Sequence, residues 1–157
     1  MSNISKFLEA LKIFDCNMQK VRIGNKSDGG YVTLDQINKQ CNVLYSLGVG
    51  DDVSFELDFV NRYPQSKVQL FDHTIEFLPE NHPNFIFHKQ SVGSQTEGDT
   101  ISLGEKIDAS LGHVILKMDI EWDEWKLLES LSEEQYHKID QLIVEFHKAS
   151  VLNLDFD

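Results

Sequence analysis

Short apolar segments alternate along the chain with segments whose apolar residues recur every three to four positions. The apolar segments have the length of β-strands, and the periodic segments have the spacing of amphipathic helices. Strands are predicted at 42–47, 68–72, 85–87, 113–119 and 141–146, after two short strand-like pieces within 20–33. Helices are predicted at 3–14, 34–40, 53–62, 102–109 and 122–131, with a short helix or loop at 74–80.

This alternation indicates βαβ units and a mainly parallel sheet of about five strands. The predicted fold is a Rossmann-like, doubly wound α/β domain, with helices on both faces of the sheet. We expect one domain over 1–157, with an N-terminal helix and cap segment over 1–41 and a nucleoside-binding core over 42–147. Sheets of this type bind ligands beyond the carboxyl ends of their strands.

Composition and charge narrow the classes of partner. Acids outnumber bases by 26 to 14, giving a formal net charge of −12, which argues against nucleic-acid and anionic-membrane partners. No apolar run exceeds three residues, so no transmembrane helix is predicted. The charged N-terminus lacks the apolar stretch of a secretion signal. Cys16 and Cys41 fit neither a zinc spacing nor a redox pair, so we expect reduced thiols in a cytoplasmic protein.

A glycine loop follows the first strand of the wound sheet. Gly48-Val49-Gly50 precedes a helix, and glycine there would let a nucleotide-type ligand approach the backbone. The same short motif also fits an ordinary strand-to-helix turn. The next strand ends in Asp72, where an acid can accept hydrogen bonds from ribose hydroxyls. Asp52 replaces a third glycine and would disfavour a pyrophosphate, so the pattern favours a phosphate-free nucleoside such as S-adenosylmethionine.

Four ionisable residues end two strands that we expect to be neighbours. Asp119 and Glu121 are two apart, as are Glu145 and His147, so each pair points one way and the four are predicted to converge. His147 has the pKa of a general base, and Asp119 or Glu121 would hold a ligand ammonium or orient an acceptor. No metal is expected, because two-apart carboxylates are common. A solvated strand edge is the alternative interpretation.

Four segments in this order resemble a class I S-adenosylmethionine-dependent methyltransferase, and most of all its FkbM-type branch. That branch has a glycine loop after strand 1, an acid ending strand 2, a K-x-D-x-E-G segment ending strand 4 and an E-x-H segment ending strand 5. The matching segments are NVLYSLGVGDDVSFE (42–56), VQLFDHT (68–74), VILKMDIEWDEWKLLE (114–129) and LIVEFH (142–147). The turn at 28–31, DGGY, is similar to a feature of some members.

The resemblance implies S-adenosylmethionine as cofactor and methyl transfer to a hydroxyl oxygen of a small molecule or sugar. Members typically methylate hydroxyl oxygens, and some act on nitrogen. The cofactor-binding residues it implies are Gly48, Val49, Gly50, Asp51, Asp72, His73, Ser91 and Asp119. The catalytic residues it implies are Asp119, Glu121, Glu145 and His147.

Two departures from the family pattern stand out. Trp122 occupies the position of the glycine that usually follows D-x-E. About ten residues follow the last predicted strand, too few for the helix and hairpin that complete a class I enzyme, so we expect a partial chain whose open sheet edge could support an oligomer.

An NAD-dependent oxidoreductase is one alternative to the methyltransferase, although Val53 stands at the last glycine of its motif. A truncated, non-catalytic nucleoside-binding domain is the other.

Overall fold

The computed structural model describes residues 9, 12, 17–35 and 43–147. Both cysteines, most of the predicted helix over 34–40, and the helix predicted over 3–14 apart from two of its positions lie outside these residues. Within the described segments, no helix combines the length and the apolar character needed to cross a membrane.

The described segments contain nine strands and four helices. The strands are β1 (Lys20–Gly24), β2 (Gly30–Leu34), β3 (Val43–Leu47), β4 (Lys67–Phe71), β5 (Phe85–His88), β6 (Ser91–Gly93), β7 (Thr100–Ser102), β8 (Val114–Met118) and β9 (Ile139–Val144). The helices are α1 (Ser54–Arg62), α2 (Leu103–Asp108), α3 (Glu124–Ser130) and α4 (Glu133–His137). The segment 74–80, predicted as a short helix or loop, is a loop.

The main sheet is parallel and has the strand order β5-β4-β3-β8-β9. From β3 the chain adds β4 and β5 on one side, and then crosses to the other side to add β8 and β9. The direction of this order therefore reverses between β3 and β8, which makes their carboxyl ends the switch point where such sheets bind ligands. The predicted mainly parallel, five-stranded α/β sheet is confirmed.

Helices cover both faces of the sheet because side chains on its strands alternate between faces. On one face, Leu44 and Ile115 join a buried cluster with Phe55 and Phe59 of α1. On the other, Leu47, Leu116 and Met118 join a cluster built from α2 and α3, with Leu103, Ile107 and Leu127. All five residues of β8 are buried, as expected for a strand covered on both sides.

Local sequence signals fix where two of the helices begin. The Ser102 side chain accepts a hydrogen bond from the Glu105 amide at 3.3 Å and caps α2. Ser132 and Gln135 form a complete capping box at the start of α4, in which each side chain accepts from the other residue's amide. Each such cap satisfies amides that have no partner inside the helix and contributes about 1 kcal/mol.

The β1–β2 hairpin packs beside α1 and closes one side of the switch point. Its strands pair antiparallel, from Lys20 opposite Leu34 to Gly24 opposite Gly30. The Gly24 amide donates to Asp58 Oδ2 of α1 at 2.9 Å. This attachment places the 25–29 turn over the loop that follows β3, so a segment outside the main sheet becomes part of the candidate site.

Candidate functional site

A cavity of about 660 Å³ lies at the carboxyl ends of β3, β4 and β8. Its walls include the ends of these strands and the loops that follow them, the 25–29 turn, Tyr31, the start of α1 and residues 90–92. All eight residues predicted to bind the cofactor line it: Gly48, Val49, Gly50, Asp51, Asp72, His73, Ser91 and Asp119. Four separate segments of the chain that hold predicted cofactor-binding residues therefore meet around one cavity.

The two glycines of the loop after β3 serve different purposes. Gly48 has φ +73°, and a Cβ there would lie 1.6 Å from the Asp119 carbonyl oxygen. Its small size is therefore required by the close approach of two backbone segments. Gly50 has φ +58°, and a Cβ there would meet no atom within 4 Å. The space beside Gly50 is open, which fits a position that a ligand approaches.

Asp72 holds the glycine loop in place. Its Oδ2 accepts hydrogen bonds from the amides of Val49 and Gly50 at 3.0 and 2.9 Å. Its Oδ1 accepts from the Thr74 amide and hydroxyl at 2.7 and 2.6 Å. Burial alone would raise the pKa of this carboxyl, but these hydrogen bonds outweigh it and lower the pKa below the ordinary value. The carboxylate thus accepts four bonds within the protein, which the sequence did not predict.

Asp52 has a local structural role as well. Its Oδ1 accepts from the Ser54 amide at 2.7 Å at the start of α1, and its Oδ2 accepts from the Asn25 side chain. Burial opposes ionisation of Asp52, but the hydrogen bonds from Ser54 and Asn25 lower its pKa. An acid at the third-glycine position therefore ties the 25–29 turn to the loop, and it also lines the cavity.

The predicted cluster at the carboxyl edge comes together. Ligand-type atoms of Asp119, Glu145 and His147 all lie within 4.8 Å of one another. His147 Nε2 is 3.9 Å from Asp119 Oδ1 and 3.8 Å from Glu121 Oε2. Asp119 and Glu121 line the cavity, whereas Glu145 and His147 are not among its lining residues and lie next to these two acids. The group therefore joins the wall of the cavity to the end of β9.

Sequence reasoning missed the partner that orients His147. Glu124 is fully buried at the start of α3, and its Oε1 lies 2.8 Å from His147 Nδ1. This hydrogen bond raises the pKa of His147, with smaller contributions from the nearby acids. Burial alone would raise the pKa of Glu124, but its bond to His147 lowers it. In the sequence, Glu124 is one of several acids around the start of a predicted helix, and nothing there distinguishes it from the others.

Tyr31 is a second residue that sequence reasoning did not place in the site. Its hydroxyl donates to Asp119 Oδ2 at 2.7 Å. Burial and the bond to Asp119 raise the pKa of Tyr31, so it remains a donor. The only sequence signal was its place in the DGGY turn. Tyr31 fixes one oxygen of Asp119 and leaves the other facing His147.

This arrangement has two chemical capacities. With Nδ1 donating to Glu124, His147 presents Nε2 to the acids and can take up a proton there. The distances of 3.8 and 3.9 Å are too long for direct hydrogen bonds, so His147 Nε2 is not hydrogen-bonded to Asp119 or Glu121. Ligand-type atoms of Asp119, Glu145 and His147 are also close enough to share a cation.

The backbone explains why the family pattern has a glycine after D-x-E. Glu121 and Trp122 have φ of +54° and +92°, in the left-handed region that glycine adopts most readily. The Trp122 side chain is half-exposed beside two residues that line the cavity. This chain thus keeps the backbone turn while presenting an indole in place of a hydrogen atom.

Acidic side chains dominate the cavity. Lys117 is the only lysine or arginine among the described lining residues. Eight carboxylates line it: Asp28, Asp51, Asp52, Glu56, Asp72, Asp119, Glu121 and Asp123. Walls of one charge sign concentrate ligands of the opposite sign, so this cavity suits a ligand with positive charge.

Comparisons with known proteins indicate which family this chain resembles. No protein-family model matches the chain, and no solved structure matches it significantly. The human protein named "Probable methyltransferase-like protein 24" is 35% identical over 127 residues, and the rat protein of the same name is 34% identical over 124 residues. These matches cover 70% and 69% of this chain, which spans about a third of either relative. The similarity supports a methyltransferase family for this chain.

Proposed function

We propose that this chain carries an S-adenosylmethionine-dependent methyltransferase site whose cofactor occupies the cavity at the switch point. The observation that carries the proposal is the charge of that cavity, with eight carboxylates and one lysine beside the Gly48–Gly50 loop. S-adenosylmethionine carries a sulfonium and an ammonium group, so acidic walls favour it. The similarity to the methyltransferase-like proteins gives independent support.

The same charges disfavour NAD. Two unit charges 4 Å apart interact by about 4 kcal/mol at an effective dielectric constant of ~20. A pyrophosphate among these carboxylates would meet such repulsion from several directions, with Lys117 as the only lining lysine or arginine to offset it. Val53, which replaces the last glycine of the dinucleotide motif, is buried in the core. We therefore prefer the nucleoside sulfonium as ligand.

The acceptor would sit at the carboxyl edge, next to the cluster of acids and His147. The cofactor supplies an electrophilic methyl group, and the chain must hold the acceptor in line and take its proton. In our proposal His147 Nε2 receives that proton, and Glu124 holds the imidazole in the required orientation. Asp119 and Glu121 orient the acceptor, which we propose is a hydroxyl oxygen of a small molecule or sugar.

Calorimetric titration of the 157-residue chain tests the cofactor assignment. We expect S-adenosylmethionine and S-adenosylhomocysteine to bind with one-to-one stoichiometry, and NAD to give no heat at the same concentrations. Heat from NAD alone would overturn the proposal. Binding of both adenosyl compounds, without methyl transfer to any hydroxyl acceptor tested, would instead support a non-catalytic nucleoside-binding domain.

A further inference from the structure

A buried ion pair, Glu56 with Lys117, lines the cavity and is placed for a binding role beyond its contribution to the charge of the walls. Ser46 and Lys117 are the second-to-last residues of β3 and β8. Because side chains alternate along a strand, both lie on the sheet face that α1 covers. Glu56 of α1 reaches them across that face. The side chains of Lys117 and Glu56 are 5% and 1% exposed, and Lys117 Nζ lies 3.9 Å from Glu56 Oε1. That distance is too long for a hydrogen bond.

Glu56 has one oxygen in use and one without a partner. Its Oε1 accepts a hydrogen bond from the Ser46 hydroxyl. Its Oε2 is buried and has no hydrogen-bond partner. Among the described residues that line the cavity, it is the only side chain with such an unsatisfied buried atom. A buried carboxylate oxygen without a donor is unfavourable, so this atom indicates a donor that arrives with the ligand.

Lys117 is held so that its charge faces the cavity. Its Nζ donates to the Gly48 carbonyl oxygen at 2.8 Å and lies 5.1 Å from the centre of the Tyr31 ring. An ammonium group has three donors, so this bond leaves donor capacity at Nζ. Because the other lining groups are mostly acids, a ligand carboxylate has one lysine or arginine to bind among the described walls.

We propose that Glu56 and Lys117 bind the α-amino-acid end of the ligand. The ligand's ammonium donates to Glu56 Oε2, and its carboxylate accepts from Lys117 Nζ. This inference rests on the proposed function. It assigns the ligand's ammonium to Glu56, whereas the sequence pattern predicted Asp119 or Glu121 for that role. Asp119 already accepts from Tyr31 on one oxygen and faces His147 with the other.

The test compares two ligands that differ only at that end. S-adenosylhomocysteine carries the amino-acid group, and 5′-methylthioadenosine lacks it. Glu56→Gln removes the charge but keeps an oxygen that can accept from Ser46. We expect this variant to bind S-adenosylhomocysteine about 10- to 100-fold more weakly, the range for loss of a charged hydrogen bond. Its affinity for 5′-methylthioadenosine should stay within about twofold of wild type.

Glu129→Gln on the exposed face of α3 is the matched control, since it makes the same charge change away from the cavity. It should leave both affinities unchanged. Glu121→Gln tests the competing assignment. If it lowers the ratio of the two affinities and Glu56→Gln does not, the proposal is overturned. Equal weakening of both ligands by Glu56→Gln would also overturn it.

A ligand-side experiment needs no variant and covers the case in which Glu56→Gln does not fold. Decarboxylated S-adenosylmethionine keeps the ammonium but has no carboxylate for Lys117. Wild-type chain should bind it about tenfold or more weakly than S-adenosylmethionine, and equal affinity would refute the role of Lys117. If no adenosyl ligand binds at all, the proposed function fails, which is distinct from a failure of this subsite.

Discussion

Replacing Gly50 with leucine should separate a ligand contact from backbone strain. Gly50 has φ +58° and open space where a side chain would begin. A non-glycine residue in the left-handed region costs about 1–2 kcal/mol, which corresponds to a fall of ~2–8 °C in the melting temperature of a chain of this size. The leucine side chain would also project beside the loop, where the ligand approaches. The amide of Gly50 is bonded to Asp72, so the loop cannot easily retreat.

Gly98 provides the matched control for this variant. It has φ +57° and nothing within 4 Å of a Cβ, but it does not line the cavity. Gly50→Leu and Gly98→Leu should lose similar stability in thermal unfolding. In calorimetry, only Gly50→Leu should weaken S-adenosylhomocysteine, by at least tenfold, or about 1.4 kcal/mol. Equal affinities in the two variants would show that the ligand does not approach the loop at Gly50.

Three further predictions follow from the hydrogen bonds of the site. Asp72→Asn should destabilise the ligand-free chain by about 1–3 kcal/mol in denaturant unfolding. Because folding lowers the pKa of Asp72, the difference in stability from wild type should shrink as the pH falls below ~4. An unchanged free energy of unfolding would contradict the role of Asp72 in holding the glycine loop. His147→Ala should lower turnover by about 10²–10⁴-fold while S-adenosylmethionine affinity in calorimetry is retained; full turnover would refute the base assignment. Because Glu124 raises the pKa of His147, wild-type turnover should rise with pH around a midpoint above the ordinary imidazole pKa of about 6.5. Glu124→Gln should move that midpoint to lower pH. A pH profile that does not shift in this variant would contradict the pairing of Glu124 with His147.

The sheet could be predicted because its strands have a simple signature. Central parallel strands are buried on both faces and appear as short apolar runs, which helical segments separate. The convergence of the acids with His147 followed from the same logic, since the carboxyl ends of neighbouring parallel strands meet at one edge. The three-residue strands β6 and β7 were not predicted, because they are too short to show a period.

The partners that orient the site could not be predicted. Tyr31 and Asp119 are 88 positions apart, and Glu124 and His147 are 23 apart, so only the packing of the hairpin and of α3 brings them together. Nothing in the sequence indicated that Asp72 would accept hydrogen bonds from the backbone amides of Val49 and Gly50. Trp122 was visible as a departure from glycine, but its left-handed backbone was not.

A crystal structure of the 157-residue chain with S-adenosylhomocysteine would show directly whether the cavity at the switch point binds the cofactor. We expect density for the ligand in the cavity at the carboxyl ends of β3, β4 and β8, with the nucleoside against the Gly48–Gly50 loop and the sulfur directed toward Asp119. Ligand density elsewhere on the molecule, with this cavity filled only by solvent, would contradict it.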